Sequence, residues 1–350
     1  MGELYERVGN LHIHSLLSDG SGAPEEIAQA AAEAGLDFII LTDHNRYAPE
    51  FEGWYGSVLL LVGEEIHDPA NPHRNHLLAF RVGEDMSAYG ADPLALCEKV
   101  AMRGGLSFLA HPFERSGAFA GEPEINWLAW DARPFTGLEL WNYMSEFKAH
   151  LTTPWRTLRA AFWPKGAIQG PFEETLAQWD ELLEARPVYA VGGSDAHALV
   201  YRRGPLAKRL FPYQHLFRAV NTHILARAPW VGDAAQDGVI VYEALEHGRA
   251  FVGYDALGAT RGFRFEAADG HRVHTMGEVC APRGMVRWQV WAPRRALLRL
   301  IRNGQVIAQC VGRSLAYESA EPGAYRVEAY RRYAGLWRGW IFANPIFLQG

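Results

Sequence analysis

The sequence predicts an α/β barrel followed by an antiparallel β-sandwich, and two patterns lead to this prediction. Up to about residue 200, strand-like apolar runs alternate with helix-like segments, as they do in parallel α/β sheets and barrels. After about residue 255, short alternating runs are joined by turns such as Asn303-Gly304 and Pro322-Gly323, which is typical of antiparallel sheets. In a chain of 350 residues we therefore predict a barrel over residues 1–255 and an immunoglobulin-like sandwich over residues 256–350.

Seven strands are predicted in the first domain, each a short apolar run between turn signals. They are expected at residues 8–14, 38–42, 58–65, 76–82, 106–111, 137–141 and 188–192. A helix is predicted at Pro24–Ala34, because proline and two glutamates occupy its first turn and Gly35 ends it. With its flanking strands, this helix forms a βαβ unit.

Two further segments of the first domain and four of the second complete the prediction. A helix is expected at residues 92–103, and residues 145–185 are expected to be mostly helical, with proline and glycine interruptions, and to cap the mouth of the barrel. The sandwich strands are expected at residues 285–291, 297–302, 325–330 and 340–347.

Composition predicts a globular protein and excludes several classes of partner. Hydrophobic residues make up 49% of the chain, and the net charge of -6 gives no general attraction to phosphate backbones or anionic membranes. Nucleic acid is therefore disfavoured as a partner except as a nucleotide end. The three cysteines form no Cys-X-X-Cys pair, which argues against a disulfide framework and against a zinc-thiolate site. Without a membrane-length apolar stretch or a leader, the sequence predicts a cytoplasmic protein.

Side chains able to bind metal follow nearly every predicted strand of the first domain. They are His12, His14, Asp19, Asp43, His44, Glu65, His76, His111, Asp195 and His197. The C-terminal ends of parallel barrel strands meet at one rim, so these residues are expected to share a pocket. A single histidine is more often structural than a ligand, but packing would favour apolar groups at strand ends. The joint pattern therefore predicts a metal centre.

The pair His12 and His14 has the most specific spacing. Side chains alternate along a strand with a period of two, so both imidazoles lie on one face and can reach one cation. Asp195 and His197 have the same spacing. Imidazole and carboxylate ligands without thiolate suit zinc, manganese or iron, and we expect two or three divalent ions of this kind.

The motifs Asn-Leu-His-Ile-His-Ser, Ser-Asp-Gly, Leu-Thr-Asp-His-Asn, Gly-Glu-Glu-Ile, Leu-Ala-His-Pro and Gly-Ser-Asp-Ala-His together resemble the polymerase and histidinol phosphatase (PHP) superfamily. The resemblance covers about residues 8–200 and implies a distorted seven-stranded (β/α) barrel that commonly binds three metals. Matched motif by motif, it implies that the first metal is bound by His12, His14, Glu65 and Asp195. Glu65 would bridge to a second metal bound by His76 and His111, and the third would be bound by Asp19, His44 and His197.

Two positions of this ligand set have alternatives. Asp19 stands where several phosphatase members of the family carry a histidine, which makes the third metal the least secure of the three. His67 and His73 lie close to His76 in the sequence and compete with it for the second metal.

The C-terminal motifs Tyr-Arg-Val-Glu and Trp-Ile-Phe-Ala-Asn-Pro-Ile-Phe are similar to the sandwich appended to some bacterial PHP proteins, including relatives of carbaryl hydrolase. The family acts on phosphomonoesters and nucleotide ends and, in that branch, on carbamate or amide bonds. The leading hypothesis is a phosphoesterase acting on a small phosphorylated substrate or a nucleotide end. The alternatives are a carbamate or amide hydrolase with the same metals, and a metal-binding module without catalysis.

The expected mechanism is attack by a metal-bridging hydroxide, because a bound cation lowers the pKa of water towards about 7. Asp43 is a candidate to orient a ligand or receive a proton, with a structural role behind the ligands as the alternative. His197 is a candidate to assist the leaving group if the third metal is absent. Arg115, Arg202 and Arg203 are candidate clamps for a phosphate group, because each follows a ligand motif. The alternative for each arginine is an ordinary solvated surface position. The sequence does not indicate the oligomeric state.

Overall fold

Helices and strands alternate through the first two thirds of the chain, and strands dominate the rest. The computed structural model describes residues 3–203, 206–281 and 284–349, with the backbone alone at residues 200–203 and 206–209. The helices are α1 (Pro24–Ala34), α2 (Pro93–Met102), α3 (Tyr143–Lys148), α4 (Pro154–Phe162), α5 (Pro164–Ala167), α6 (Glu173–Ala185), α7 (Tyr213–Leu216) and α8 (Ala234–Glu246). The strands of the first part are β1 (Tyr5–Asn10), β2 (Phe38–Leu41), β3 (Gly53–Tyr55), β4 (Val58–Val62), β5 (Glu64–Ile66), β6 (Leu77–Phe80), β7 (Leu106–Leu109), β8 (Gly137–Asn142), β9 (Tyr189–Gly193), β10 (Val200–Arg203), β11 (Leu206–Arg209), β12 (Val220–Ala226) and β13 (Ala250–Tyr254). Those of the C-terminal part are β14 (Arg264–Ala268), β15 (Val273–Thr275), β16 (Val279–Cys280), β17 (Val286–Arg302), β18 (Gln305–Ser319), β19 (Gly323–Tyr333) and β20 (Leu336–Leu348).

The predicted barrel has seven strand positions, one of which is shared by β4 and β5. β1 pairs in parallel with β2, β2 pairs in parallel with β4, and β7, β8 and β9 form a parallel ladder. Single parallel bridges join the two groups: one links His44 to Glu65 and the other links Ile13 to Ala196. The barrel therefore closes through backbone at or beside the candidate metal ligands. This arrangement fixes the spacing of those ligands by main-chain hydrogen bonds.

Two features distort the barrel. The predicted strand over residues 58–65 divides at Gly63 into β4 and β5, because β4 pairs with β2 whereas β5 pairs with β6. β6 runs antiparallel to both β5 and β7, which departs from the parallel order of the other barrel strands. The strand is reached by the short connection of residues 67–76, which is too short for the crossover helix that a parallel strand needs.

The helical predictions agree with the structure. α1 begins at Pro24 and ends at Gly35, whose φ of 84° allows the left-handed cap, and it buries Ile27 and Ala31 against the barrel. The segment of residues 145–185 contains most of α3 and all of α4, α5 and α6, which follow the C-terminal end of β8. In the described part of the chain, no helix is both long enough and apolar enough to cross a membrane.

The C-terminal part is an antiparallel sandwich, as predicted. A register shift between Trp291 and Ala296 divides β17 into two halves, so that β14 pairs with the first half and β19 with the second. Trp288 from the first half stacks on Tyr325 of β19, with ring centroids 3.7 Å apart, inside the core. β20 also pairs with β13, which makes this sheet continuous with β12 and β1 of the barrel. The boundary between residues 255 and 256 remains a prediction.

Candidate metal centre

The structure brings the nine candidate ligands of the sequence analysis into one pocket. Their donor atoms form overlapping groups in which all members lie within 4.8 Å of one another. These groups include His12, His14 and Glu65; His12, His111 and Asp195; Glu65, His76 and His111; and His14, Asp19, His44 and His197. The pocket is thus built from several strand ends that are far apart in sequence, and each group offers enough donors for one cation.

Glu65 lies at the centre of these groups, and its two carboxylate oxygens face different histidines. Oε2 lies 3.1 Å from His12 Nε2 and 3.2 Å from His14 Nε2. Oε1 lies 2.7 Å from His76 Nδ1 and 3.1 Å from His111 Nε2. A carboxylate with one oxygen on each side has the arrangement needed to bridge two cations.

The third group lies on the open side of the pocket. Asp19 is 56% exposed and lies 3.2 Å from His197 Nε2, 3.7 Å from His14 Nδ1 and 3.8 Å from His44 Nε2. His197 Nδ1 also lies 3.3 Å from the Asp195 carboxylate. Because Glu65 is only 1% exposed, a substrate would reach the centre from the side of Asp19 and His44.

Unpaired donor atoms test whether these residues fit a metal. Among the described residues, six buried atoms of the centre have no hydrogen-bond partner: His12 Nε2, His14 Nδ1, His14 Nε2, His44 Nδ1, Glu65 Oε2 and His111 Nδ1. Buried polar atoms are normally hydrogen-bonded, because leaving one unpaired costs roughly 1–3 kcal/mol. Four of the six are imidazole or carboxylate atoms that face Glu65 or are part of it. The donor set therefore fits divalent cations.

Asp43 does not point at the other candidate ligands. Its Oδ1 accepts hydrogen bonds from the Ser15 N–H at 2.7 Å and the Ser18 hydroxyl at 2.6 Å, and its Oδ2 accepts one from the Ser15 hydroxyl at 2.7 Å. These bonds hold the turn that presents Asp19. A Cβ at Gly20 would lie 2.1 Å from the His14 carbonyl oxygen, so the same turn needs glycine after the aspartate.

Glu139 is a buried carboxylate that the sequence analysis did not select. Its Oε1 lies 3.1 Å from His12 Nδ1, and its Oε2 accepts hydrogen bonds from the His111 N–H at 3.0 Å and the Asn142 side chain at 3.0 Å. A Cβ at Gly193 would lie 2.7 Å from Glu139 Oε1, so glycine there makes room for the contact. The signal was available as the one charged residue within the apolar strand Gly-Leu-Glu-Leu-Trp.

The carboxylates of the centre are strongly held in their ionised form. Against the effect of burial, the neighbouring histidines keep the pKa of Glu65 and that of Asp195 well below the usual range. Although burial opposes it, the neighbouring carboxylates of Asp195 and Glu65 raise the pKa of His14 to about 10. Burial lowers the pKa of His44 to about 3. The centre thus combines ionised carboxylates with neutral and cationic imidazoles, and cations would replace the protons of the latter.

Two candidate ligands have an uncommon backbone conformation. His111 has a φ of 28° and Asp195 has a φ of 55°, both in the left-handed region. Residues other than glycine occupy this region rarely, and such positions cluster at functional sites. His111 also precedes a proline, which restricts its backbone further.

The remaining candidates have different surroundings. Arg115 is 57% exposed, pairs with Glu174 at 2.9 Å and lies over the Phe172 ring. The side chains of Arg202 and Arg203 lie outside the described residues. His67 stacks on His76 with ring centroids 4.5 Å apart and forms a further candidate group with His44 and His76, whereas His73 is exposed.

Solved structures of three proteins are similar to this chain. A two-domain protein from Bacteroides vulgatus, containing a predicted PHP-like metal-dependent phosphoesterase, has 15% identity and a TM-score of 0.46; the match covers 98% of this chain and 96% of that protein. A proposed metal-dependent phosphoesterase from Bifidobacterium adolescentis has 16% identity and a TM-score of 0.34, covering 54% of this chain and 87% of that one. An amidohydrolase from Chromobacterium violaceum, with bound sulfate and no metal, has 15% identity and a TM-score of 0.33, covering 59% and 92%. These values are too low to transfer an activity.

The family comparison is more specific. A search of the curated proteins finds no match to the chain. The profile of the PHP domain matches residues 10–226, which is more than half of the chain and contains every candidate ligand described above. The match agrees with the distorted barrel and, together with the buried donor set, supports a metal-dependent hydrolase. The chain belongs to the PHP domain family.

Proposed function

We propose that this protein is a metal-dependent phosphoesterase that acts on a small phosphorylated substrate or a nucleotide end. The observation that carries the proposal is the cluster of nine candidate ligands, in which five histidines face the two oxygens of Glu65. Such a cluster can hold two or three closely spaced cations. A phosphate ester has several charged oxygens, and adjacent cations are suited to neutralising them.

The cations would be held by the residues that face one another in the pocket. His12, His14, Glu65 and Asp195 would hold the first, Glu65 with His76 and His111 the second, and Asp19, His44 and His197 the third. When bound, divalent ions of manganese, zinc or iron lower the pKa of water and stabilise charge on the oxygens of the attacked group. The donor set does not distinguish among these metals.

The protein's own residues have three tasks in this proposal. Glu139 orients the His12 ring through Nδ1, so that Nε2 faces the pocket. Asp43 holds the turn that carries Asp19, which is a positioning role. His197, 16% exposed on the open side, is placed to give a proton to the leaving group if it is not a metal ligand.

A screen of hydrolysis tests the proposal against its alternatives. Protein loaded with manganese, zinc or iron would be assayed with p-nitrophenyl phosphate and nucleoside monophosphates, and in parallel with aryl carbamates and anilides. The bound metals would be counted first. The Glu65→Gln variant, purified in the same way, would control for contaminating hydrolases.

Each result of the screen has a definite meaning. Release of phosphate that depends on Glu65 supports the phosphoesterase. Turnover of carbamates or anilides alone replaces it with a carbamate or amide hydrolase using the same metals. Full metal loading without turnover of any substrate favours a metal-binding module.

We also propose that the protein works in a reducing compartment, the cytoplasm, because Cys97, Cys280 and Cys310 are all free thiols.

A further inference from the structure

A cavity of about 310 Å³ lies where α4 and α5 meet the turn between β19 and β20. The residues that line it include Arg156, Arg159, Arg338, His150 and Gln169. No aspartate or glutamate is among the described residues that line it. Three arginines facing one cavity without a lining carboxylate form a concentrated positive charge.

Two buried nitrogen atoms of this wall have no hydrogen-bond partner among the described residues. Arg338 is 7% exposed, and while its Nη2 donates to the Gly166 carbonyl oxygen at 3.0 Å, its Nε has no partner among the described residues. His150 Nε2 is likewise buried and unpartnered within the described chain. None of the three arginines forms an ion pair with any described residue. Arg156 and Arg159 are exposed, but leaving the buried Arg338 Nε and His150 Nε2 unpaired is costly unless something else binds them.

Glu146, the acidic group that acts on Arg338, already binds other groups. Glu146 acts on Arg338 electrostatically, but its oxygens already accept hydrogen bonds from Trp141 Nε1 at 2.8 Å and from the backbone N–H groups of Gln169 and Gly170. The arginines also act on His150: burial, followed by the charges of Arg156, Arg338 and Arg159, lowers its pKa. The positive charges thus converge on the cavity.

A larger cavity shows why volume alone does not mark a ligand site. It measures about 840 Å³, but Asp255 is part of its wall and two of the cationic groups there already have carboxylate partners. Arg261 pairs with Asp37 at 2.8 Å, and His223 lies between Glu6 and Asp255. In the smaller cavity, by contrast, no arginine forms an ion pair with a described carboxylate.

We propose that the cavity of His150, Arg156, Arg159 and Arg338 binds a phosphate group, either as free phosphate or as part of a small metabolite. Guanidinium groups match the oxygens of phosphate with paired N–H donors, and a buried imidazole adds a further donor. The cavity shares no lining residue with the candidate metal centre. The proposal is therefore independent of the activity proposed above.

Isothermal titration of the metal-loaded full-length protein with inorganic phosphate tests the site. The Arg156→Gln/Arg159→Gln double variant removes two exposed cations, so the fold should persist, and its melting temperature would be checked. The matched control is Arg287→Gln/Arg313→Gln, which removes two exposed arginines from β17 and β18. Glu65→Gln separates phosphate bound at the metal centre from phosphate bound here.

We expect the protein to have one phosphate site whose affinity falls at least tenfold in the double variant. The affinity of this site should be unchanged in both the control pair and Glu65→Gln. A second titration with glycerol phosphate identifies the source of the ligand: tighter binding than inorganic phosphate indicates a metabolite, and equal or weaker binding indicates free phosphate. Phosphate affinity that is the same in the double variant and the control pair would overturn the proposal. The proposal would also be overturned if the Glu65→Gln variant bound no phosphate at all.

Discussion

Glu139 and His12 form a buried pair in which the carboxylate Oε1 lies 3.1 Å from the imidazole Nδ1. This contact favours the tautomer with the proton on Nδ1, so the lone pair of Nε2 is directed towards Glu65 and Asp195. Carboxylates that orient a metal-binding histidine in this way raise its basicity and fix its ring. Glu139 is therefore as relevant to metal binding as the residues that would contact the metal.

Replacing Glu139 by glutamine should weaken metal binding about 10- to 100-fold, because an amide no longer holds the His12 ring as firmly. Competition with a chelator would measure the affinity. Glu98→Gln, on the exposed face of α2, makes the same charge change away from the centre and serves as the control. An affinity equal to that of the control would contradict the positioning role.

Replacing Glu65 by glutamine should lower both the metal content and the rate. An amide has only one oxygen acceptor, so it cannot face His12 and His76 with ligand atoms of the same kind. We expect the loss of at least one ion per chain by elemental analysis and a fall in kcat of about 100-fold or more. Unchanged metal stoichiometry would reject the bridging assignment.

Replacing Arg203 by alanine should raise KM for phosphorylated substrates about tenfold, because a charged hydrogen bond contributes roughly 1.5–3 kcal/mol. A neutral ester should be unaffected. Arg115→Ala is the comparison, and its effect should be smaller because Arg115 is exposed and already paired with Glu174. Equal changes in KM for the phosphate and the neutral ester would remove the clamp role of Arg203.

Glu146 should make the protein less stable as the pH rises from about 4.5 to about 7. Burial raises its pKa from 4.5 to about 7, although the Gln169 N–H and the Trp141 indole oppose the shift. In this interval the unfolded chain loses a proton that the folded chain keeps, so the free energy of unfolding falls by up to about 3 kcal/mol.

The comparison of wild type with Glu146→Gln isolates this effect. Urea unfolding would be measured at pH 5 and pH 8, with the same metal content in both proteins. The decrease between the two pH values should be smaller in the variant, which cannot ionise at this position. If both proteins lose the same stability, Glu146 does not carry the pH dependence.

Asn344 should contribute strongly to stability. Its Nδ2 donates to the Ala190 carbonyl oxygen at 3.0 Å, and its Oδ1 accepts from the Ala190 N–H at 2.6 Å, so it joins β20 to β9 of the barrel. Asn344→Ala would leave two buried backbone groups unpaired and should cost about 2–4 kcal/mol. Denaturant unfolding measures this loss. Asn71→Ala, at an exposed position, is the control, and a loss no greater than that of the control would contradict the structural role.

Much of the centre could be predicted because its ligands follow strand ends in short, regular spacings. The period of a strand was enough to predict that His12 and His14 share one face. The meeting of strand ends at the barrel rim then predicted that Glu65 and Asp195 lie close to them. Glu139 was missed because its partners, His12 and His111, are distant in sequence. A single carboxylate inside an apolar strand indicates burial but does not reveal which group compensates it.

The strands β12 and β13 and the helix α8 were not predicted. β12 contains Asn221, Thr222 and His223, which are buried through hydrogen bonds to residues far along the chain, so the strand has neither an apolar run nor an alternating pattern. The antiparallel direction of β6 was missed for a similar reason: only the tertiary pairing with β5 and β7 sets it. Local pattern identified β6 but not its direction, and it did not identify β12, β13 or α8.

The pairing of β13 with β20 has a consequence for any shortened form of the chain. Phe251, Val252 and Gly253 pair with residues 341–343, so removing the C-terminal part would uncover a row of unpaired N–H and C=O groups on β13. Open strand edges of this kind recruit strands from other molecules. A fragment ending at residue 255 would keep every candidate ligand and yet should self-associate. The N-terminal part is therefore unsuited to use on its own, for example in a fusion protein.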